Sequence, residues 1–401
     1  PTPVILAGIV LVAAVPRLAA PAILAPQPAD WAAAIEREAL GEARRMLTTG
    51  DFRPRTFARP SALLYAQTAA GAGTFLAGVS ADRWRTVGAV DPDNLARGAR
   101  LLNAIFGLAA VLLTYAVAAR LYGRRAGLAA AALMALSPIA WTATATATED
   151  ALVALVGLAA FSLCAALDVG RGRGRGMEDG APTSGSRGPL TAPPRSLTAA
   201  LLVGAAAGVR PSLALLALPL VLAWWWERGA GRRVPGALLP AAAGTGFLLA
   251  MPFALVALPA VLDAASVAAR EYDLRPAPAT LRLATGLPRA AALALQSDPL
   301  LALAGALGAC WALARHRRAD LLVLAALVPT GLLLALHRDL EPRHFAPYGP
   351  FLALLGGAFL SEVGAALRGQ PRPRCPTGPG RRTADRTAAA RGNRSRREGD
   401  S

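Results

Sequence analysis

The chain has 401 residues, 54% of them hydrophobic and 17% charged, with a formal net charge of +17. Apolar runs of bilayer-spanning length, with few long polar stretches between them, exclude an ordinary water-soluble domain and define an all-α, polytopic transmembrane protein. The basic residues are all arginine, and much of the excess lies in Arg171 to Arg195 and after Leu367; there a solvated anchor beside anionic lipid heads fits better than a nucleic-acid surface.

In chain order, Pro3 to Leu24 forms the first span, interrupted near its far end by Pro16-Arg17. It is too long and too apolar to read as a cleaved signal. Residues 25–99 form a first outer loop. Within it, Ala32 to Met46 is an amphipathic helix with charges at Glu36, Arg37, Glu38, Glu42, Arg44 and Arg45, ending at Gly50. Ser61 to Val79 is apolar but rich in small residues, and reads as a helix lying in the interface. Spans follow at Leu101 to Ala119, Ala126 to Ala143, Ala151 to Leu167, Leu197 to Gly208, Ser212 to Trp226, Gly236 to Leu258, Leu300 to Ala314, Leu321 to Leu336 and Phe345 to Leu367. With the first run, these make about ten spans.

The connections order these spans. Arg120/Arg124/Arg125, Arg171 to Arg195, Arg228/Arg232/Arg233, Arg315/Arg317/Arg318 and the arginine-rich tail all fall on one side if Ser61 to Val79 does not cross. By the positive-inside rule that side is the cytoplasm of a multi-pass plasma-membrane protein. The outer side then collects Asp30 to Arg100, Glu149-Asp150, the turn at Arg210, Pro259 to Asp298 and His337 to His344. Glu149 and Asp150 stand out, because a carboxylate pair between two membrane-length apolar runs is costly in lipid and belongs at a water interface or in a protein cavity. The basic loop 169–195 and the tail 368–401 have too little apolar surface to pack and are expected to be disordered. Cys164, Cys310 and Cys375 offer no disulfide framework or metal spacing.

Several short motifs carry a resemblance. They are Gly50-Asp51-Phe52-Arg53-Pro54 with Phe57 and Arg59-Pro60-Ser61, then Arg100 before a span, Tyr122-Gly123-Arg124-Arg125-Ala126-Gly127 and Leu136-Ser137-Pro138. Thr148-Glu149-Asp150, Gly204 to Pro211 and Arg343-His344-Phe345-Ala346-Pro347-Tyr348-Gly349-Pro350 complete the set. In this order they resemble the GT-C superfamily of polytopic membrane glycosyltransferases, in the branch of protein O-mannosyltransferases and lipid A aminoarabinose transferases. The resemblance covers most of Pro3 to Leu367 and implies that residues 1–367 are one transmembrane domain, with Arg210 in place of the usual lysine of its turn. The family's first outer loop begins with an Asp-Glu pair about fifteen residues before the Gly-Asp, and counting back from Gly50 reaches Ile35-Glu36. The carboxylate of that loop is then Glu36, or Asp30 after a local insertion, with Glu36 favoured.

The resemblance implies inverting transfer of a sugar from a polyprenyl-phosphate donor to a hydroxyl of a lipid, glycan or protein acceptor at the extracytoplasmic face. Such chemistry needs a carboxylate base and positive charge on the departing phosphate. Glu36 is the candidate base. Glu149 or Asp150 would orient the acceptor or hold a divalent cation, and Arg210 and Arg343 would pair with phosphate. His344, Tyr348 and Arg100 are further substrate-binding candidates, and the apolar faces of Ser61 to Val79 and its neighbours would form a groove for the isoprenoid.

Each residue also has a plainer reading. Glu36, Glu38 and Glu42 can be the wet face of a helix, Arg210 a solvated turn, Arg343 and His344 interfacial anchors, and Thr148-Glu149-Asp150 a helix cap. As a whole, a secondary transporter or a catalytically degenerate lipid-binding relative are the competing classes.

Overall fold

The computed structural model describes residues 2–23, 31–57, 60–174, 195–228, 234–270, 272 and 279–369. Asp30, Arg59, Arg232, Arg233, Cys375, most of the basic loop (175–194) and the tail from 370 lie outside the described residues. By internal contacts the chain divides into residues 1–361 and 362–401. The second unit is described as far as Gly369, and its described part is the end of the last helix with the two residues after it.

The helices are α1 (Thr2–Ile23), α2 (Trp31–Thr49), α3 (Ser61–Ser80), α4 (Pro92–Tyr122), α5 (Arg124–Leu136), α6 (Pro138–Ala145), α7 (Asp150–Gly174) and α8 (Arg195–Val209). They continue with α9 (Ala217–Arg228), α10 (Leu238–Ala250), α11 (Leu258–Ala269), α12 (Ala279–Ser297), α13 (Pro299–Arg315), α14 (Arg318–Ala335) and α15 (Gly349–Leu367). Short 3-10 turns lie at Val87–Ala89, Pro211–Leu216 and Pro342–Phe345, and among the described residues no strand forms. Among the described residues six helices (α1, α3, α4, α7, α14 and α15) are long and apolar enough to cross a membrane, and α5 with α6 makes a seventh if the bent pair is one span. The other apolar runs expected as spans form shorter helices. By length and composition α3 is among the six, although its residues were expected in the interface.

Several boundaries differ from the sequence expectation, and proline decides two of them. The run Ala126 to Ala143 is two helices bent by 56°. Pro138 has no N–H to give the Met134 carbonyl, and Ser137 before it is held extended at φ −67, ψ 116. The run Gly236 to Leu258 is helical only in α10, which stops at Ala250 because Pro252 disfavours a helical Met251. Conversely, α1 runs straight through Pro16. The basic loop starts later than expected, since α7 continues to Gly174. The segment 259–298, expected as an outer connection, contains most of α11 and all of α12.

The first unit is packed through small residues and aliphatic side chains. Between α8 and α10 a Cβ built on Gly204 would lie 1.8 Å from the Ala243 carbonyl oxygen, and one on Gly246 would lie 1.8 Å from that of Leu201. The two backbones therefore touch, which only glycine permits. The α4–α5 turn uses Gly123 at φ +96, a conformation that glycine adopts without steric cost. Under these helices Phe161 and Phe351 meet edge to face at 5.3 Å within a core that includes Val153, Leu158 and Leu213.

Candidate active site

The break between α6 and α7 is the organising feature. Residues 146–149 leave helical conformation there, so their backbone groups need partners from elsewhere, and three helices supply them. Gln67 of α3 donates through Nε2 to the Ala147 carbonyl at 2.6 Å. Asn103 of α4 donates through Nδ2 to the carbonyls of Thr146 (2.6 Å) and Thr148 (2.7 Å). Glu36 of α2 accepts the Ala147 N–H through Oε2 at 2.9 Å. Gln67 and Asn103 serve as scaffolding here; neither is a candidate from the sequence, where Gln67 belongs to the interfacial helix and Asn103 to a span. The signal was present: an amide inside an apolar helix is expensive unless paired.

Glu36 is not on a wet face; it is 3% exposed. Arg100 clasps it from α4, with Nη2–Oε1 at 2.5 Å and Nε–Oε1 at 3.0 Å, a two-pronged geometry that lysine could not provide. Glu38 points outward and is exposed. Glu42 instead accepts from Arg45 and from the Arg55 N–H; burial works against its charge, and these two partners outweigh it, holding its carboxyl below the usual range.

Asp150 begins α7 and is buried. Its Oδ1 meets Arg210 Nη1 at 3.1 Å, and its Oδ2 accepts from the Thr148 hydroxyl at 3.2 Å. Thr148 therefore serves a carboxylate rather than capping the helix. Arg210 is no solvated turn, since its side chain is 21% exposed. Burial opposes its charge, but Asp150 overrides burial and raises its proton affinity further. Glu149 lies beside both, and its Oε2 is buried with no hydrogen-bond partner.

The turn before α15 brings the remaining candidates close. Arg343 is within electrostatic reach of Asp150, and Tyr348 within reach of Arg210. The Tyr348 hydroxyl lies 3.5 Å from that of Ser212. Arg343 Nε sits 2.8 Å from Glu341 Oε2. His344 stacks on His337 with ring centroids 4.2 Å apart, and Tyr272 meets His337 edge-on at 5.1 Å. His344 Nδ1 accepts the Glu341 N–H at 3.1 Å, so its proton resides on Nε2. Burial, then His337, Arg210 and Arg343, hold its pKa down to about 3, which keeps the ring neutral. His337 and Tyr272 were absent from the sequence candidates because only the fold brings α12's approach and α14's end together.

The candidates thus fall into two linked groups: Glu36 with Arg100, and Glu149 and Asp150 with Arg210, Arg343, His344 and Tyr348. The 146–149 stretch joins them. Among the described residues no three His, Cys, Asp or Glu side chains cluster to hold a metal ion. Asp150's two oxygens each face a partner, Arg210 and Thr148.

This architecture is similar in fold to that of GT-C glycosyltransferases of known structure. Residues 93–175 match the family model for dolichyl-phosphate-mannose-protein mannosyltransferases. The fold is shared with ArnT from Cupriavidus metallidurans bound to undecaprenyl phosphate, at TM-score 0.54 and 18% identity over 82% of this chain and 58% of that one. It is also shared with the archaeal oligosaccharyltransferase AglB from Archaeoglobus fulgidus in complex with an inhibitory peptide and a dolichol-phosphate. That likeness has TM-score 0.51 and 14% identity over 92% of this chain and 52% of that one. The chain spans little more than half the length of either protein. No curated protein matches it.

Proposed function

We propose that the chain is a plasma-membrane glycosyltransferase that moves a sugar from a polyprenyl-phosphate donor to an acceptor hydroxyl, with inversion. The buried carboxylate–arginine group at the α6–α7 break is the observation that carries this reading. The GT-C fold supports it, as do the lipid phosphates bound by ArnT and AglB.

Transfer requires the acceptor oxygen to attack the anomeric carbon while the bond to the phosphate oxygen breaks. The acceptor proton goes to a carboxylate, and the electron pair of the broken bond leaves on the polyprenyl phosphate. One displacement inverts the anomeric centre. Arg210 and Arg343 are assigned to the phosphate, where fixed guanidinium charge stabilises the departing oxyanion. Asp150 orients Arg210, and the His344 Nε2–H is available as a neutral donor.

A base needs an oxygen that can take the acceptor proton. Both oxygens of Glu36 already accept, from Arg100 and the Ala147 N–H, as do both of Asp150, from Arg210 and Thr148. Glu149 retains a buried oxygen without a partner, so the base is assigned to Glu149, with Glu36 and Arg100 holding the segment that carries it.

The test is sugar transfer by the purified full chain from radiolabelled polyprenyl-phosphate donors. Arg210→Ala and Glu149→Gln should each lower the rate about a hundredfold or more, the scale of losing a preorganised charge or a base. Glu36→Gln should weaken transfer less. Asp30→Asn is the rival variant: if it abolishes transfer while Glu149→Gln is fully active, the base lies in the first outer loop. Full activity in Arg210→Ala and Glu149→Gln together would remove the site.

A further inference from the structure

The break that carries Glu149 has no cause in its own sequence. From Thr142 to Thr148 threonine alternates with alanine, and from Ile139 to Val156 there is neither glycine nor proline. The same alternation is helical up to Ala145 and leaves the helix at Thr146, which is extended at φ −115, ψ 154. Alanine is the strongest helix former and threonine is tolerated in helices, so one continuous helix from α6 into α7 is open to this stretch. In it the Thr146 carbonyl would accept the Asp150 N–H. The break is therefore held by tertiary partners, and these differ in what they select. Gln67 gives one bond to one carbonyl, that of Ala147. Buried Asn103 gives both hydrogens of one amide nitrogen to two carbonyls, those of Thr146 and Thr148, at 2.6 and 2.7 Å. Carbonyls two residues apart lie on one edge of an extended chain but about 200° apart around a helix. A single nitrogen reaches both only while the segment stays out of the helix.

We propose that Asn103 is a positioning residue of the site: its paired bonds keep residues 146–148 from joining α6 to α7 and thereby set where Glu149 stands. Glu149 is the point at which the helix resumes, its carbonyl accepting the Val153 N–H at 2.8 Å. An extended residue advances about 3.3 Å and a helical one about 1.5 Å. Winding residues 146–148 into helix would shift Glu149 by about 5 Å against the scaffold, while Arg210 and Arg343 stay on other elements. A misplacement of about 1 Å can already cost a reaction about a hundredfold. The role of Glu149 rests on the transferase reading; the hold of Asn103 on the segment does not.

Two readouts are taken on the purified full chain: sugar transfer from radiolabelled polyprenyl-phosphate donors, and carbon-13 chemical shifts of Thr146, Ala147 and Thr148 in lipid bilayers. The shifts separate extended from helical backbone without any turnover. Asn103→Ala should lower kcat about a hundredfold, leave the donor KM within about threefold, and move the shifts of residues 146–148 toward helical values. Asn103→Ser keeps one donor and should fall between parent and alanine variant; it carries the same comparisons if Asn103→Ala does not fold. In a Glu149→Gln background, Asn103→Ala should cost nothing further, because both act through one group. A general loss of stability would instead multiply with Glu149→Gln. The proposal is overturned if the shifts of residues 146–148 stay at their parent values, if kcat is unchanged, or if the two substitutions multiply. If the shifts move as described but even the parent transfers no sugar, the transferase reading fails and the hold of Asn103 on the segment survives.

Discussion

At the scale of single residues, the site is built from charges whose environments pull in opposite directions. Arg210 is kept charged by Asp150, whereas His344, against the same arginine, is kept neutral. The second fact has a consequence for acid stability. Folded His344 titrates near pH 3, and an unfolded histidine near about 6.5. The unfolded chain therefore binds the extra proton throughout that window. The stability His344 contributes is complete above about pH 6.5 and is lost as the pH falls toward 3. In His344→Gln this contribution is absent, so the melting temperature in detergent should fall less steeply between pH 6.5 and 4 than in the parent; parallel slopes would show that His344 titrates normally. The carboxylates and the arginines of the site were legible in the sequence because ionisable residues at span ends are few. What each of them touches was not. Glu36 looked like one of three acids on a helix face, and only the approach of Arg100, sixty-four positions later, distinguishes it from exposed Glu38.

At the scale of elements, the bent helix decides where the acids go. Pro138 leaves the Met134 carbonyl without its helical donor, and Arg17 of α1, wholly buried, supplies the missing bond through Nη2 at 2.9 Å. The Trp141 indole N–H serves the next carbonyl, that of Ala135, at 2.5 Å. A Pro-Arg step that reads as an interruption of the first span is thus a brace for a different helix. On the far side of the bend, Ser137 caps α6 by accepting the Ala140 N–H at 3.1 Å and donates its hydroxyl to Asp298 Oδ2. Asp298 in turn caps α13 by accepting the Leu301 N–H at 3.2 Å. One hydroxyl therefore ties two helix starts together. Ser137→Ala should lower stability by about 1–2 kcal/mol, the loss of a cap plus one bond to a buried carboxylate. Thermal unfolding in detergent reads this directly; an unchanged midpoint would mean the link carries no stability. The sequence showed Leu136-Ser137-Pro138 as a motif but gave no sign of its partner, because Asp298 lies in a segment that reads as an outer connection between spans.

At the scale of the whole molecule, the helices sort their charges by end. α4 has Asp93 and Arg100 near its start and Arg120 in its last turn. α13 closes on Arg315, α14 opens on Arg318, and Arg318 sits over Trp226 at the end of α9 with the guanidinium 5.3 Å from the ring. The catalytic candidates lie at the opposite ends of these same helices, beside His337 after α14 and at the start of α7. This division was readable from the sequence because apolar length and arginine position are composition-level signals. Helix breaks were not, since each depends on a tertiary partner. The positive-inside rule predicts that the arginine ends face the cytoplasm and the candidate site faces outward. In a background with Cys164, Cys310 and Cys375 replaced, His316→Cys and Asp339→Cys flank α14 on exposed positions. Intact cells treated with a membrane-impermeant maleimide should label position 339 directly and position 316 only after permeabilisation. Asp51→Cys and Ser80→Cys, exposed at the two sides of α3, should both label from outside if α3 lies in the interface. A split between them would make α3 a true span. It would also put an odd number of crossings before Arg120, so that the arginine ends and the candidate site exchange sides.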